Sequence, residues 1–148
     1  MLNRLPSVIV TAVSLVRGNS IRHTVAMFDT QKPRQGGVAL IGRADDVIAL
    51  EPTDATQNAP SAGWVQVGVI EGAGVGIWEH TVGVSTDVEE DEVFVVLSGR
   101  ATVVERGGTP TEFVPGDIGR LAAGTHTTWT VHEQMRKIWV AREDDSDG

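Results

Sequence analysis

The chain of 148 residues contains no cysteine and no tyrosine. Without cysteine there is no disulfide framework, no thiolate metal site and no thiol nucleophile. Without tyrosine, every mechanism that needs a phenolic acid or base is closed. Lysine is nearly as scarce, limited to Lys32 and Lys137. Basic residues are outnumbered, 12 Lys and Arg against 20 Asp and Glu for a formal net charge of -8, which argues against nonspecific binding to nucleic-acid phosphates. Long apolar runs are missing too. Leu5 to Val16 is interrupted by Pro6, Ser7, Thr11 and Ser14 and is too short to span a bilayer. Neither nucleic acid nor membrane is an expected partner, and the cytoplasm is the expected compartment.

The charge that is present is unevenly spread. Residues 1–43 carry six basic side chains and one acid, Asp29, whereas residues 44–148 carry six basic and 19 acidic ones. Such a step points to differently built parts: an N-terminal arm or leader over residues 1–37, a domain over 38–143, and a solvated acidic tail over 144–148. The arm reads as a loosely ordered segment or a strand that pairs with another chain. Its Arg-rich, acid-poor character also resembles an organellar transit peptide, and Met27 offers an alternative start. Gln31 to Gly37, with Pro33 and paired glycines, reads as a linker.

From residue 38 the hydrophobic period is two. Val38–Ile41 and Val47–Leu50 are short apolar runs, and 52–63 reads as a loop. Strands are expected over Trp64–Ile70, Val75–Val82, Glu92–Leu97, Ala101–Glu105, Glu112–Val114, Ile118–Leu121, His126–His132 and Arg136–Arg142. Turn signals separate them, among them Ser98-Gly99 and Pro115-Gly116-Asp117. No segment shows sustained helical periodicity. Many short strands at close spacing predict an all-β sandwich or barrel.

In detail the residues resemble a family. Glu92 followed after six residues by Gly99, and Gly116 followed after five by Ala122-Ala123-Gly124, match the ends of the two cupin motifs, with alanine in a proline place. Gly76-Ile77-Trp78-Glu79, Asp91-Glu92-Val93-Phe94, Thr128-Trp129-Thr130-Val131 and Arg136-Lys137-Ile138-Trp139-Val140 are similar to the small single-domain (RmlC-like) cupins of the DUF861, ureidoglycine aminohydrolase and ethanolamine-utilisation type. The resemblance covers residues 64–142. It implies a jelly-roll, double-stranded β-helix barrel, a single domain with an N-terminal strand arm, and a homodimer in which N-terminal strands exchange.

The same resemblance locates a metal site that this chain does not supply in full. Where metal-binding cupins have histidines, this sequence has Ser85, Asp87 and Thr127, and hydroxyls are not usual ligands. His126 is one residue out of place, which in a strand aims it at the opposite face unless a bulge at Gly124-Thr125 restores it. Asp87, Glu92 and His126 make a poor oxygen-rich set, so no cofactor is expected and a divalent metal is a minor alternative. Sugar epimerisation of the kind this superfamily performs needs a tyrosine acid, and its thiol dioxygenase, oxalate-degrading and quercetin-cleaving chemistries need the imidazole metal site. All are excluded on that resemblance.

Three residues are candidates for acid–base work. Glu92, in a row with Phe94 and Val96, is an acid among apolar neighbours, where the pKa is expected to rise; otherwise a hydrogen bond or an arginine holds it. Glu79 and His80 are adjacent and so point to opposite faces. If Glu79 points inward it faces Glu92; if His80 does, it is a base titrating near neutrality. Trp78, Asp87, Phe94, His126, Thr127, Trp129 and Lys137 are candidate ligand-binding residues. Trp129 is either a ligand platform or core filler, and Lys137 either binds a substrate carboxylate or pairs with the acidic rim. Glu89, Glu90 and Asp91 read as a solvated loop. Two functional readings stay open: a barrel that binds a small polar metabolite, with metal-independent acid–base chemistry on a nitrogen-containing molecule as the ureidoglycine aminohydrolase resemblance implies, or a non-catalytic ligand-binding or dimeric regulatory module.

Overall fold

Alternation of β-branched and small residues produces an antiparallel strand assembly. The computed structural model describes residues 37–53, 55–57 and 59–143; the arm (apart from Gly37) and the acidic tail expected from the sequence lie outside the described residues. The strands are β1 (Glu51–Pro52), β2 (Ala55–Gln57), β3 (Ser61–Ile70), β4 (Ala73–His80), β5 (Gly83–Val88), β6 (Glu92–Glu105), β7 (Thr111–Phe113), β8 (Ile118–Leu121) and β9 (His126–Arg142). Among the described residues there is no helix, and hence none long and apolar enough to cross a membrane.

β9 is the spine. Its first half, His126–Val131, lies between β5 and the second half of β6, and its second half, Met135–Arg142, lies between β4 and the first half of β6. β3 and then β1 extend the layer beyond β4, and β2 extends the other beyond β5. β8 flanks the first half of β6 and β7 the second. Two antiparallel layers therefore share β6 and β9. Both strands must bend where they pass between layers, and the β6–β9 register slips at three places between Val96 and Ala101. Gly99 sits at this corner with φ +82°, and a Cβ there would lie 2.2 Å from the Gln134 carbonyl oxygen.

Between the layers Phe94, Val96, Ala101, Val103, Leu121, Trp129, Val131, Met135 and Trp139 form the main core. Full burial of a side chain such as Phe94 or Val96 contributes about 1.5–3 kcal/mol. A second cluster lies on the outer face of β3 and β4. There Ile48 and Leu50 cover Val65, Val67, Ile77 and Ile138. Arg136 pins this covering segment by donating from Nη1 to the carbonyls of Ala44 (2.9 Å) and Asp46 (2.6 Å).

The apolar runs Val38–Ile41 and Val47–Leu50 form no strand; Ile48 and Leu50 lie on the outer sheet face, whereas Val38, Leu40 and Val47 are almost fully exposed. Three elements differ from the sequence reading. Residues 52–63 contain β2 and the start of β3 rather than a single loop. Ser98-Gly99 is a corner within β6 and does not end it. Gly83–Val88, whose polar alternation gave little signal, is a full strand.

Candidate functional site

Inward-pointing side chains of β3, β4, β5, β6 and β9 surround a cavity of about 420 Å³. On β4, alternation turns Gly76, Trp78 and His80 inward, and the lack of a side chain at Gly76 leaves room for Trp139, whose ring a Cβ would meet at 2.2 Å. Four tryptophans, Trp64, Trp78, Trp129 and Trp139, wall the cavity. Trp78 packs against Trp129 and against His80 with ring centroids 5.3 Å apart in both pairs.

Polar groups converge on these walls. Lys137, buried on β9, donates from Nζ to Glu92 Oε1 at 2.6 Å. Its ammonium also lies 4.5, 4.8 and 4.9 Å from the ring centroids of Phe94, Trp78 and Trp129, an aromatic cage of the kind that attracts cations. Glu92 is thus not an isolated acid, as its apolar neighbours had suggested; its charge has a partner across the strand pairing. The Asp87 carboxyl has its pKa raised from 3.8 to about 7 by its removal from bulk water and by the neighbouring charge of Glu89. Asp87 is solvent-accessible by surface, but the surface it exposes is the cavity wall, so its surroundings are mostly protein.

His80 is fully buried on β4. Its Nδ1 lies 2.6 Å from the Thr81 carbonyl oxygen and its Nε2 2.7 Å from Ser85 Oγ. Burial lowers its pKa, against the raising effect of the bond to Thr81. Glu89, read from the sequence as part of a solvated loop, is buried: its Oε1 accepts from Thr127 Oγ1 at 2.6 Å and from Trp129 Nε1 at 2.8 Å. A buried indole N–H demands an acceptor, which is the one signal in the sequence that pointed to such a residue.

Of the candidates named from the sequence, Glu92, His80, Trp78, Asp87, Trp129 and Lys137 line the cavity together. Phe94 lies beneath the Lys137 ammonium, and Thr127 is held by Glu89. Glu79 does not join them: alternation turns it to the outer face, where it pairs with Arg136 at 3.2 Å and accepts from Gln134 at 2.9 Å. The same alternation separates Arg136, outside, from Lys137, inside. His126 is also excluded. It is exposed, pairs in register with Val88 while Thr127 pairs with Asp87, and lies 3.5 Å from Arg106, so no bulge has turned it inward. Ser85, noted only as a place without histidine, lines the cavity.

Residues 71–139 match the family model described as the EutQ-like cupin domain. The barrel has the cupin fold. Solved structures agree at the level of fold. A DUF861-family protein of unknown function from Pseudomonas syringae superposes with a TM-score of 0.58 at 17% identity, over 66% of this chain and 45% of that one. The EutQ protein of Clostridium difficile gives 0.54 at 17% identity, over 64% and 77%. A Rhizobium leguminosarum protein of unknown function gives 0.51 at 24% identity, over 55% and 80%. No curated protein matches the chain.

The metal that some cupins hold does not fit the residues present. Of the family's ligand places, Ser85 is bonded to His80 and Thr127 to Glu89, while Glu92 is taken by an ammonium. Among the described residues no group of three or more His, Asp or Glu side chains is arranged to hold an ion. The site's chemistry is therefore derived from its own side chains.

Proposed function

We propose that this cupin binds a small, polar, nitrogen-containing metabolite in its barrel and acts on it by metal-independent acid–base chemistry. One observation carries the reading: the cavity pairs tryptophan walls with the carboxylates of Asp87, Glu89 and Glu92, and already cages one ammonium, that of Lys137. A ligand amine or guanidine finds the same two partners, an aromatic face and a carboxylate. Asp87, with a pKa of about 7, is suited to take up or release a proton near neutral pH. Glu92 and Lys137 orient the ligand's polar end.

The test is a thermal-shift screen of small amines, guanidines and amides, with carboxylic acids and divalent metals as comparison sets. A binding amine should raise the melting temperature by on the order of 5–10 °C at a hundredfold excess over Kd, and Asp87→Asn and Glu92→Gln should each reduce the rise. Stabilisation by carboxylic acids alone, or by none of the three sets, would overturn the proposal.

A binding module without turnover has a specific observation in its favour: among the described residues every buried side-chain nitrogen and oxygen already has a hydrogen-bond partner, as a finished binding surface would. Recovery of a stabilising amine unchanged after long incubation supports that reading. We further propose a homodimer, supported by a contiguous apolar patch on the outer face of β6, β8 and β9, where Val93, Val95, Ile118 and Val140 are 47%, 36%, 72% and 38% exposed.

A further inference from the structure

We propose that Ser85 and His80 form a nucleophile–base pair that accepts an acyl group from a small ester or activated amide. The inference rests on the reading that the cavity admits a small molecule, but not on that molecule being an amine nor on any role of Asp87.

Hydrogen-bond direction is fixed by the partners. A backbone carbonyl only accepts, so the His80 nitrogen 2.6 Å from the Thr81 oxygen, Nδ1, carries the hydrogen. In the neutral ring Nε2 then offers its lone pair, and the Ser85 hydroxyl 2.7 Å away donates to it. Burial favours the neutral ring. This is the arrangement that activates a serine: a base within hydrogen-bond reach of the hydroxyl, held in the right tautomer by a third group.

That third group is rigidly placed. The Thr81 N–H donates to the Ser61 carbonyl at 2.8 Å, and Thr81 Oγ1 accepts from the Ser61 N–H at 2.8 Å. Thr81 is thus tied to β3 at two points while its carbonyl holds the imidazole. Ser85 is on β5 directly opposite Trp129, and both serine and histidine line the cavity. A structural Ser–His bond would need no access to a cavity; this one has it.

In the step itself, Ser85 Oγ bonds to the acyl carbon as its proton passes to His80 Nε2. The bond from the acyl carbon to the leaving oxygen or nitrogen then breaks, and the leaving group takes that proton. A water, deprotonated by the same Nε2, attacks the serine ester. Ser85 Oγ departs with the proton, so that one ester or amide and one water give one acid and one alcohol or amine.

The experiment uses the full chain with a fluorophosphonate and with p-nitrophenyl acetate, read by intact mass and peptide mapping. The expected result is a single adduct on Ser85, with Ser85→Ala and His80→Gln each lowering the labelling rate by at least about 100-fold. Because the chain has no cysteine, Ser85→Cys supplies a unique thiol whose environment can be read even if the alanine variant folds poorly. Its alkylation by iodoacetamide at pH 6 should exceed that of the denatured variant at least about tenfold. No adduct on the wild-type chain, an adduct elsewhere, or a Ser85→Cys variant alkylated no faster folded than denatured would overturn the proposal. If amines still bind when labelling fails, only the nucleophile is lost; if labelling succeeds without amine binding, only the ligand reading is lost.

Discussion

Lys137 and Glu92 illustrate how much of this site depends on single pairs. Removing one partner of an enclosed ion pair leaves the other charge without compensation, which typically costs roughly 3–5 kcal/mol. The Glu92 side chain is 13% exposed and borders the cavity, so water relieves part of that loss. Lys137→Met is expected to destabilise by about 3 kcal/mol in urea unfolding, and adding Glu92→Gln should restore part of it. A double variant less stable than the sum of the singles would contradict a paired site. Asp87 gives a pH signature. Its folded pKa, about 7, is above its ordinary value of 3.8; the stability it contributes is full below 3.8 and is lost as pH rises through about 7. Asp87→Asn removes that loss, so its gain in melting temperature over the wild-type protein should grow between pH 4 and pH 8. A gain independent of pH would refute the assignment. His80 slopes the other way: its lowered pKa means that stability falls as the medium is acidified below 6.5. At this scale Glu92, His80 and Trp129 were legible as candidates because strand alternation and motif spacing are local. Glu89 and the direction of Glu79 were not, since the partners of Glu89 are 38 and 40 residues away and both rows of β4 are amphipathic.

Among the elements, β6 and β9 determine the architecture because each runs through both layers. Their corner depends on Gly99, where a side chain would meet main-chain atoms of Gln134 and Met135 in a left-handed conformation. Gly99→Ala should destabilise by about 2–3 kcal/mol, seen as a lower urea midpoint with unchanged slope. A midpoint within error of wild type would mean that the corner can open without cost. The sequence displayed both halves of each strand but divided them: in β6 the Gly that permits a bend also signals a turn, and in β9 the polar pair Glu133-Gln134 interrupts the alternation. It also showed two apolar runs, Val38–Ile41 and Val47–Leu50, that form no strand. An apolar run reports burial, and burial comes equally from pairing within a sheet or from lying across one, as Ile48 does.

For the whole molecule, the cupin fold was readable from the order of weak motifs, each uninformative alone. Assembly is the property this scale adds. If the patch formed by Val93, Val95, Ile118 and Val140 joins two copies, wild-type protein should have the mass of a dimer in light scattering and Val95→Glu that of a monomer with an unchanged far-ultraviolet spectrum. A monomeric wild-type protein would sink the proposed homodimer. A dimer undisturbed by Val95→Glu would move its interface elsewhere.

The caged ammonium has a consequence for the conditions under which the site works. An ion held by ligands is in exchange with its surroundings and can be diluted, chelated or replaced by a competitor. The cation paired with Glu92 is tethered to β9 by four methylene groups, so its local concentration does not depend on what the medium contains. Strong chelators should leave the melting temperature of the purified protein unchanged, and the charge balance of its cavity is the same whether metals around it are scarce or abundant.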